Sequence, residues 1–257
     1  MGISGSNVFD LTGTIILNNG TIITHNAAPS DSTIVAMNGG STFIINDGAE
    51  INDTYAGRNG GISRCNNSTI IMNGGIITGT NSVNTSGTVF MMYGTGAYFE
   101  MNGGEISNNT GVAGSSNSRN AAIYLHSNGQ MVMNGGVITG NVGITAGGIT
   151  YRNDSSVLTI NNGYVGNNTA VEEGYDDDIQ ANSNAQISGG TFTQDVSQWC
   201  ADGYAIIQLP DGTWNVKTTL FQIYTCINGI MHKCDMYVCI NGTIKKIDQM
   251  QSNLIIK

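Results

Sequence analysis

Met72-Asn-Gly-Gly-Ile-Ile77, Met101-Asn-Gly-Gly-Glu-Ile106 and Met133-Asn-Gly-Gly-Val-Ile138 are one phrase written three times. Looser copies flank it: Leu17-Asn-Asn-Gly-Thr-Ile22, Asn46-Asp-Gly-Ala-Glu-Ile51, Ile160-Asn-Asn-Gly-Tyr-Val165 and Ile187-Ser-Gly-Gly-Thr-Phe192. The closing apolar residues stand at 22, 51, 77, 106, 138, 165 and 192, so the steps are 29, 26, 29, 32, 27 and 27. Self-similarity at such a period marks a unit that buries its apolar side by stacking on its neighbours.

Two further series share the period. One is Ile34-Val-Ala, Gly61-Ile-Ser, Val89-Phe-Met, Ala122-Ile-Tyr, Gly148-Ile-Thr and Asp178-Ile-Gln; the other precedes each Asn-Gly phrase, as in Thr69-Ile-Ile-Met72 and Gln130-Met-Val-Met133. Each stretch alternates apolar and polar residues with the strand period of two. Glycines between them allow the positive φ of tight corners. Three short strands per repeat predict an all-β fold, a parallel β-helix of about seven coils over residues 1–192. The crossover rule predicts right-handed coiling. An antiparallel sandwich would instead need hairpin turns every 8–12 residues or so. Asn109, Asn141 and Asn168 recur just past a corner. Stacked about 4.8 Å apart, they are expected to form an amide ladder.

The repeat stops after Phe192. Residues 193–217 read as a β-hairpin cap, with Pro210-Asp-Gly212 as the turn and Trp199, Tyr204 and Trp214 as bulk over the last coil. Residues 218–257 repeat internally with an offset of 13. Ile223-Tyr-Thr-Cys-Ile-Asn-Gly229 matches Met236-Tyr-Val-Cys-Ile-Asn-Gly242, which predicts a tandem β-hairpin module.

Charge narrows the partners. The net charge is −9, and it divides unevenly. Residues 1–216 hold four arginines (Arg58, Arg64, Arg119, Arg152) against sixteen acids, 4 − 16 = −12; residues 217–257 hold five lysines against Asp235 and Asp248, 5 − 2 = +3. An acidic body argues against nucleic acid, which needs a basic footprint. No apolar run approaches the roughly 20 residues of a membrane span. Met1–Ser6 has neither the basic nor the apolar region of a secretory signal. The cysteines (Cys65, Cys200, Cys226, Cys234, Cys239) are odd in number and form no CxxC pair, so they give neither a disulfide framework nor, with His232, a zinc-ligand spacing.

The Met-Asn-Gly-Gly-x-Ile phrase with its Gly-Gly-Ile partner resembles the repeats of adhesin-like parallel β-helix proteins of bacterial surfaces. It is more distantly similar to chlamydial polymorphic outer membrane proteins and the pectate-lyase-like superfamily. Ile187–Val216 resembles the segment that closes such repeats. The Tyr-x-Cys-Ile-Asn-Gly pair resembles tandem modules at the C-termini of phage structural and tail proteins. These resemblances imply a non-catalytic structural or binding protein of a phage tail or appendage. Its location would be the virion, and its partners a bacterial cell-surface glycan or protein, other virion proteins or further copies of itself. The alternatives are a fragment of an exported bacterial adhesin at the cell surface, or a polysaccharide lyase or glycoside hydrolase. No cofactor is implied.

Two places invite a site. Taking Ile123 and Ile149 as inward-facing puts Tyr124, His126 and Arg152 on the outer surface. With Phe90 assigned to the same column, Phe90, Tyr124, His126 and Arg152 are expected to form an exposed platform for a glycan, joining apolar stacking to planar donors. The same counting points Arg64 inward. The acid run Glu172-Glu-Gly-Tyr-Asp176-Asp177-Asp178 occupies the slot of Gly147-Gly148. It reads first as a solvated loop; Asp176, Asp177 and Asp178 are the candidate Ca²⁺ ligands, and no other metal ligands are expected.

Overall fold

The computed structural model describes residues 9–24, 33–56, 61–82, 87–111, 120–152 and 155–219, and beyond them the backbone of strands 223–227, 230–234, 236–240 and 243–247. It is a parallel β-solenoid of about six turns, with seven strands on each of three faces. Face 1 runs from Phe9–Leu11 through Val35–Met37, Ser63–Asn66, Phe90–Tyr93, Ile123–His126 and Ile149–Tyr151 to Ile179–Gln180. Face 2 begins at Thr14–Leu17 and ends at Gln186–Ile187, and face 3 begins at Ile22–Thr24 and ends at Thr191–Phe192. Every pairing within these coils is parallel. Among the described residues no helix is long and apolar enough to cross a membrane.

The core is a set of stacked columns. Face 2 contributes Phe43, Ile70, Phe99, Met131 and Leu158 in one column and Ile45, Met72, Met101, Met133 and Ile160 in the next. Face 3 gives one inward residue per coil: Ile51, Ile77, Ile106, Ile138, Val165 and Phe192. The first coil departs from the sequence reading. Ile22 pairs with Glu50 and is 65% exposed, while Ile23 pairs with the buried Ile51 and takes the inward place.

The Asn-Gly-Gly corner works through its glycines. Gly104 has φ +83°, and a Cβ there would lie 2.6 Å from the carbonyl oxygen of Gly74 in the preceding coil. Both the backbone angle and the close approach require glycine. The asparagines before the corner form an exposed ladder that sequence reading missed. Asn46 donates to Asn18, Asn73 to Asn46, Asn102 to Asn73, Asn134 to Asn102 and Asn161 to Asn134, and Ser188 then donates to Asn161, all at 2.8 to 3.1 Å.

The expected inner ladder is present and buried. The Oδ1 of Asn141 accepts from both the backbone N–H and the Nδ2 of Asn109, at 3.1 and 2.9 Å. Asn141 repeats this geometry on Asn168. The next coil has no asparagine to continue the series, and the carboxylate of Asp178 takes its place. It accepts from Asn168 N–H at 3.0 Å and Nδ2 at 2.9 Å, and from the Thr193 hydroxyl at 2.5 Å.

At the far end, strands Tyr204–Gln208 and Trp214–Thr218 form an antiparallel hairpin that pairs with face 3 at Thr191 and Phe192. Trp199, Val196 and Val216 are buried in the core cluster and close the last coil. Tyr204 is exposed, so it does not contribute the bulk expected of it. Two further hairpins follow, Ile223–Ile227 with Ile230–Cys234 and Met236–Ile240 with Thr243–Ile247.

Candidate functional site: an aromatic and cationic ladder on face 1

Strand pairing decides which residues of face 1 reach the surface. Phe90 pairs with Ile123, which pairs with Ile149, and all three are buried. The expected platform residue Phe90 therefore points into the core, packed edge-to-face on Phe99 at 5.1 Å. A slip of one residue reverses the face of every side chain, and the sequence assignment of Phe90 carried that slip. The cause is local. Each strand is entered through a corner residue that is also buried (Ile62, Val89, Ala122), so two inward residues are consecutive there. Ile62 corresponds to Ala122, and Ser63 to Ile123. Arg64 consequently points outward and is exposed, contrary to the expectation.

Tyr124 does face outward, yet it is 1% exposed. It belongs to a column with Met91 and Thr150, which are also buried but outside the main core. The Thr145 and Thr150 hydroxyls share a hydrogen bond of 3.0 Å beneath the loop over this column, and Gly87 sits against the Cβ of Tyr124. Face 1 is thus covered over its first outward column from Met91 to Thr150, left exposed at Arg64 in the same column, and open over its second.

That second column is Asn66, Tyr93 and His126, continued by Arg152, whose N–H donates to Leu125 O at 3.0 Å. The Tyr93 and His126 rings lie 4.9 Å apart. The His126 ring also meets the edge of Tyr124 at 5.6 Å, and its Nδ1 bonds the Ser127 hydroxyl. Arg64 leans across from the first column with its guanidinium carbon 4.8 Å from the Tyr93 ring centroid, a cation–π contact. Arg152, at the other end, is exposed. Burial holds His126 below its ordinary value, and the charges of Arg152 and Arg64 push in the same direction. The imidazole is therefore neutral at pH 7 and can both donate and accept. The ladder rises about 4.8 Å per coil, so cation, ring, ring and cation follow one another along the rod. Of the four residues expected here, His126 and Arg152 take part, Phe90 and Tyr124 do not, and Tyr93 and Arg64 were missed. The paired apolar residues Val89-Phe90 and Ala122-Ile123 were the signal that could have set the register.

The acid run does not converge. Asp178 turns inward onto the amide ladder, and burial raises its carboxyl above the usual range. Asp177 accepts from Ala170 N–H at 2.8 Å on the exposed side of the loop. Among the described residues no group of three or more His, Cys, Asp or Glu side chains is placed to hold a metal ion. Melting with and without EDTA is accordingly expected to coincide, and a drop of several degrees on chelation would return attention to Asp176–Asp178. Cys65 is buried, its thiol bonded to Ser68 O at 2.8 Å and pushed up to about 12, which makes it a poor nucleophile. A shallow trough of about 470 Å³ runs along the Gly48, Gly75 and Gly104 corner, between Asp47, Glu50, Ile76, Glu105 and Val137. Its lining offers carboxylates but no imidazole, thiol or cation.

Comparison with known proteins returns no match to a family model, a curated protein or a solved structure.

Proposed function

We propose that the chain is a non-catalytic binding scaffold, a component of a phage tail or appendage that contacts a bacterial surface glycan through the ladder of Arg64, Tyr93, His126 and Arg152. The observation that carries the reading is the ladder itself. Two neighbouring rings, tilted 43° to each other with centroids 4.9 Å apart, lie between two guanidinium groups in a row on an extended β-solenoid. Sugar rings pack their apolar faces on aromatic rings, and planar donors beside those rings fix their orientation. The row runs along the stacking direction, which suits an extended chain more than a single sugar. The tandem hairpins after residue 219 are two units of equal strand length, in keeping with the tail-module resemblance.

The test is a double replacement, Tyr93→Ala with Arg152→Ala. Arg152 is exposed and Tyr93 is half-buried outside the core, so the fold should survive the pair at a cost of about 1–2 kcal/mol. Binding to whole bacteria or to extracted wall glycan is expected to weaken about tenfold or more, equivalent to about 1.4 kcal/mol. Unchanged binding by a well-folded double variant would put the contact elsewhere. Detection of the chain in purified virions supports the tail assignment; its recovery only from the surface of uninfected bacteria would turn the reading to an adhesin.

A further inference from the structure

We infer that the glycan bound by the ladder is acidic, carrying carboxylate or phosphate groups that meet Arg64 and Arg152. This inference rests on the glycan-binding reading and adds the charge class of the ligand.

The body is strongly acidic, with sixteen acids to four arginines over residues 1–216. A guanidinium on such a surface would ordinarily find a carboxylate. Among the described residues, however, no carboxylate lies within ion-pair distance of Arg64 or Arg152. Arg64 instead rests on the Tyr93 ring, and Arg152 stands exposed one coil beyond His126. After burial, the Arg152 and Arg64 charges both disfavour a protonated His126, so two guanidinium groups gather beside one ring on an acidic rod.

Guanidinium geometry then selects the ligand. Its planar fork matches the paired oxygens of a carboxylate or phosphate, and these charge-assisted bonds are about twice as strong as neutral ones. Arg64 and Arg152 start three coils apart, about 14 Å at 4.8 Å per coil, with the Tyr93 and His126 rings between them. A chain lying along the row would stack a sugar on the rings and present acid groups to the two ends. The surrounding acids would repel anions that lack this spacing, which favours selectivity over general stickiness. Single-stranded nucleic acid offers the same combination of rings and phosphates, but its continuous charge would run onto the acidic surface on either side.

The experiment uses the full chain and measures binding to hyaluronate, to carboxyl-reduced hyaluronate, to a glycerol-phosphate polymer and to oligo-dT. Either acidic polymer is expected to bind at least tenfold more tightly than the carboxyl-reduced one, with a preference that shrinks as salt is raised. Whichever acidic polymer binds better identifies the group as carboxylate or phosphate. The double variant R64Q/R152Q should lose the preference for the acidic polymers while keeping its melting temperature. Equal binding of acidic and reduced polymers, still lost in Y93A, would overturn the acidic inference and leave the glycan site standing. Tighter binding of oligo-dT than of either acidic polymer would overturn it in favour of nucleic acid. If no polymer shows binding that Y93A weakens, both this inference and the glycan-binding reading fail.

Discussion

Replacing Phe90 by alanine is expected to destabilise the solenoid by about 3–5 kcal/mol, the usual cost of emptying a phenylalanine site in a core. The ring is fully buried, lies beside Ile123 in the next coil and packs on Phe99 at 5.1 Å. Relaxation cannot easily refill the space, because each coil is tied to both neighbours by a full set of strand hydrogen bonds. Tyr93→Ala, three residues along the same strand and half-buried outside the core, should cost clearly less, about 1–2 kcal/mol for its ring and cation–π contacts. Denaturant midpoints for the two variants make the comparison. A small effect at Phe90 and a large one at Tyr93 would show that the strand is turned by one residue, and the ladder would be lost with it.

Asp178 is expected to be the most sensitive polar position. In Asp178→Ala the Asn168 N–H, the Asn168 amide and the Thr193 hydroxyl lose their acceptor. Unsatisfied buried donors cost about 1–3 kcal/mol each, so a loss of about 3 kcal/mol or more should follow. Asp178→Asn keeps an acceptor oxygen and extends the amide ladder by one rung, so it should stay within about 1 kcal/mol of the parent chain. The pH dependence separates the two forms. Burial raises the Asp178 carboxyl above its unfolded value, so the native state holds the proton over a window where the unfolded chain has lost it. Stability from this group is therefore highest below the unfolded value, falls as pH rises through the window and is level above the folded value. The parent should gain on Asp178→Asn as pH is lowered into the acid range. A difference that does not change with pH would mean that the carboxyl titrates normally.

Much of this fold was legible because the repeat is written in residues that each have one use. Glycine at the corner, asparagine before it and an apolar residue at the strand centre give a period that no antiparallel arrangement reproduces. The inner ladder could be read for the same reason, since Asn109, Asn141 and Asn168 fall at one place in successive repeats. Its last rung could not, because Asp178 sits in an acid run whose composition points to solvent. Only the turn of the chain after Asp177 sends that carboxyl inward. The exposed row on face 1 was half legible. His126 and Arg152 do lie in the outward row, whereas the displacement of Phe90 and the omission of Arg64 and Tyr93 came from counting alternation through a corner where two adjacent residues are buried.

The sequence by itself determined the period, the three strands per coil, the capped end and the separate hairpins beyond it, because local turn chemistry and alternation act within a few residues. The tertiary structure alone decided which residues of face 1 are surface. Register between coils sets which side chains stack, and it leaves Tyr124 buried and Tyr93 half-exposed on the same strand pair. Burial of that kind depends on contacts between residues about 30 positions apart, and no local pattern carries them.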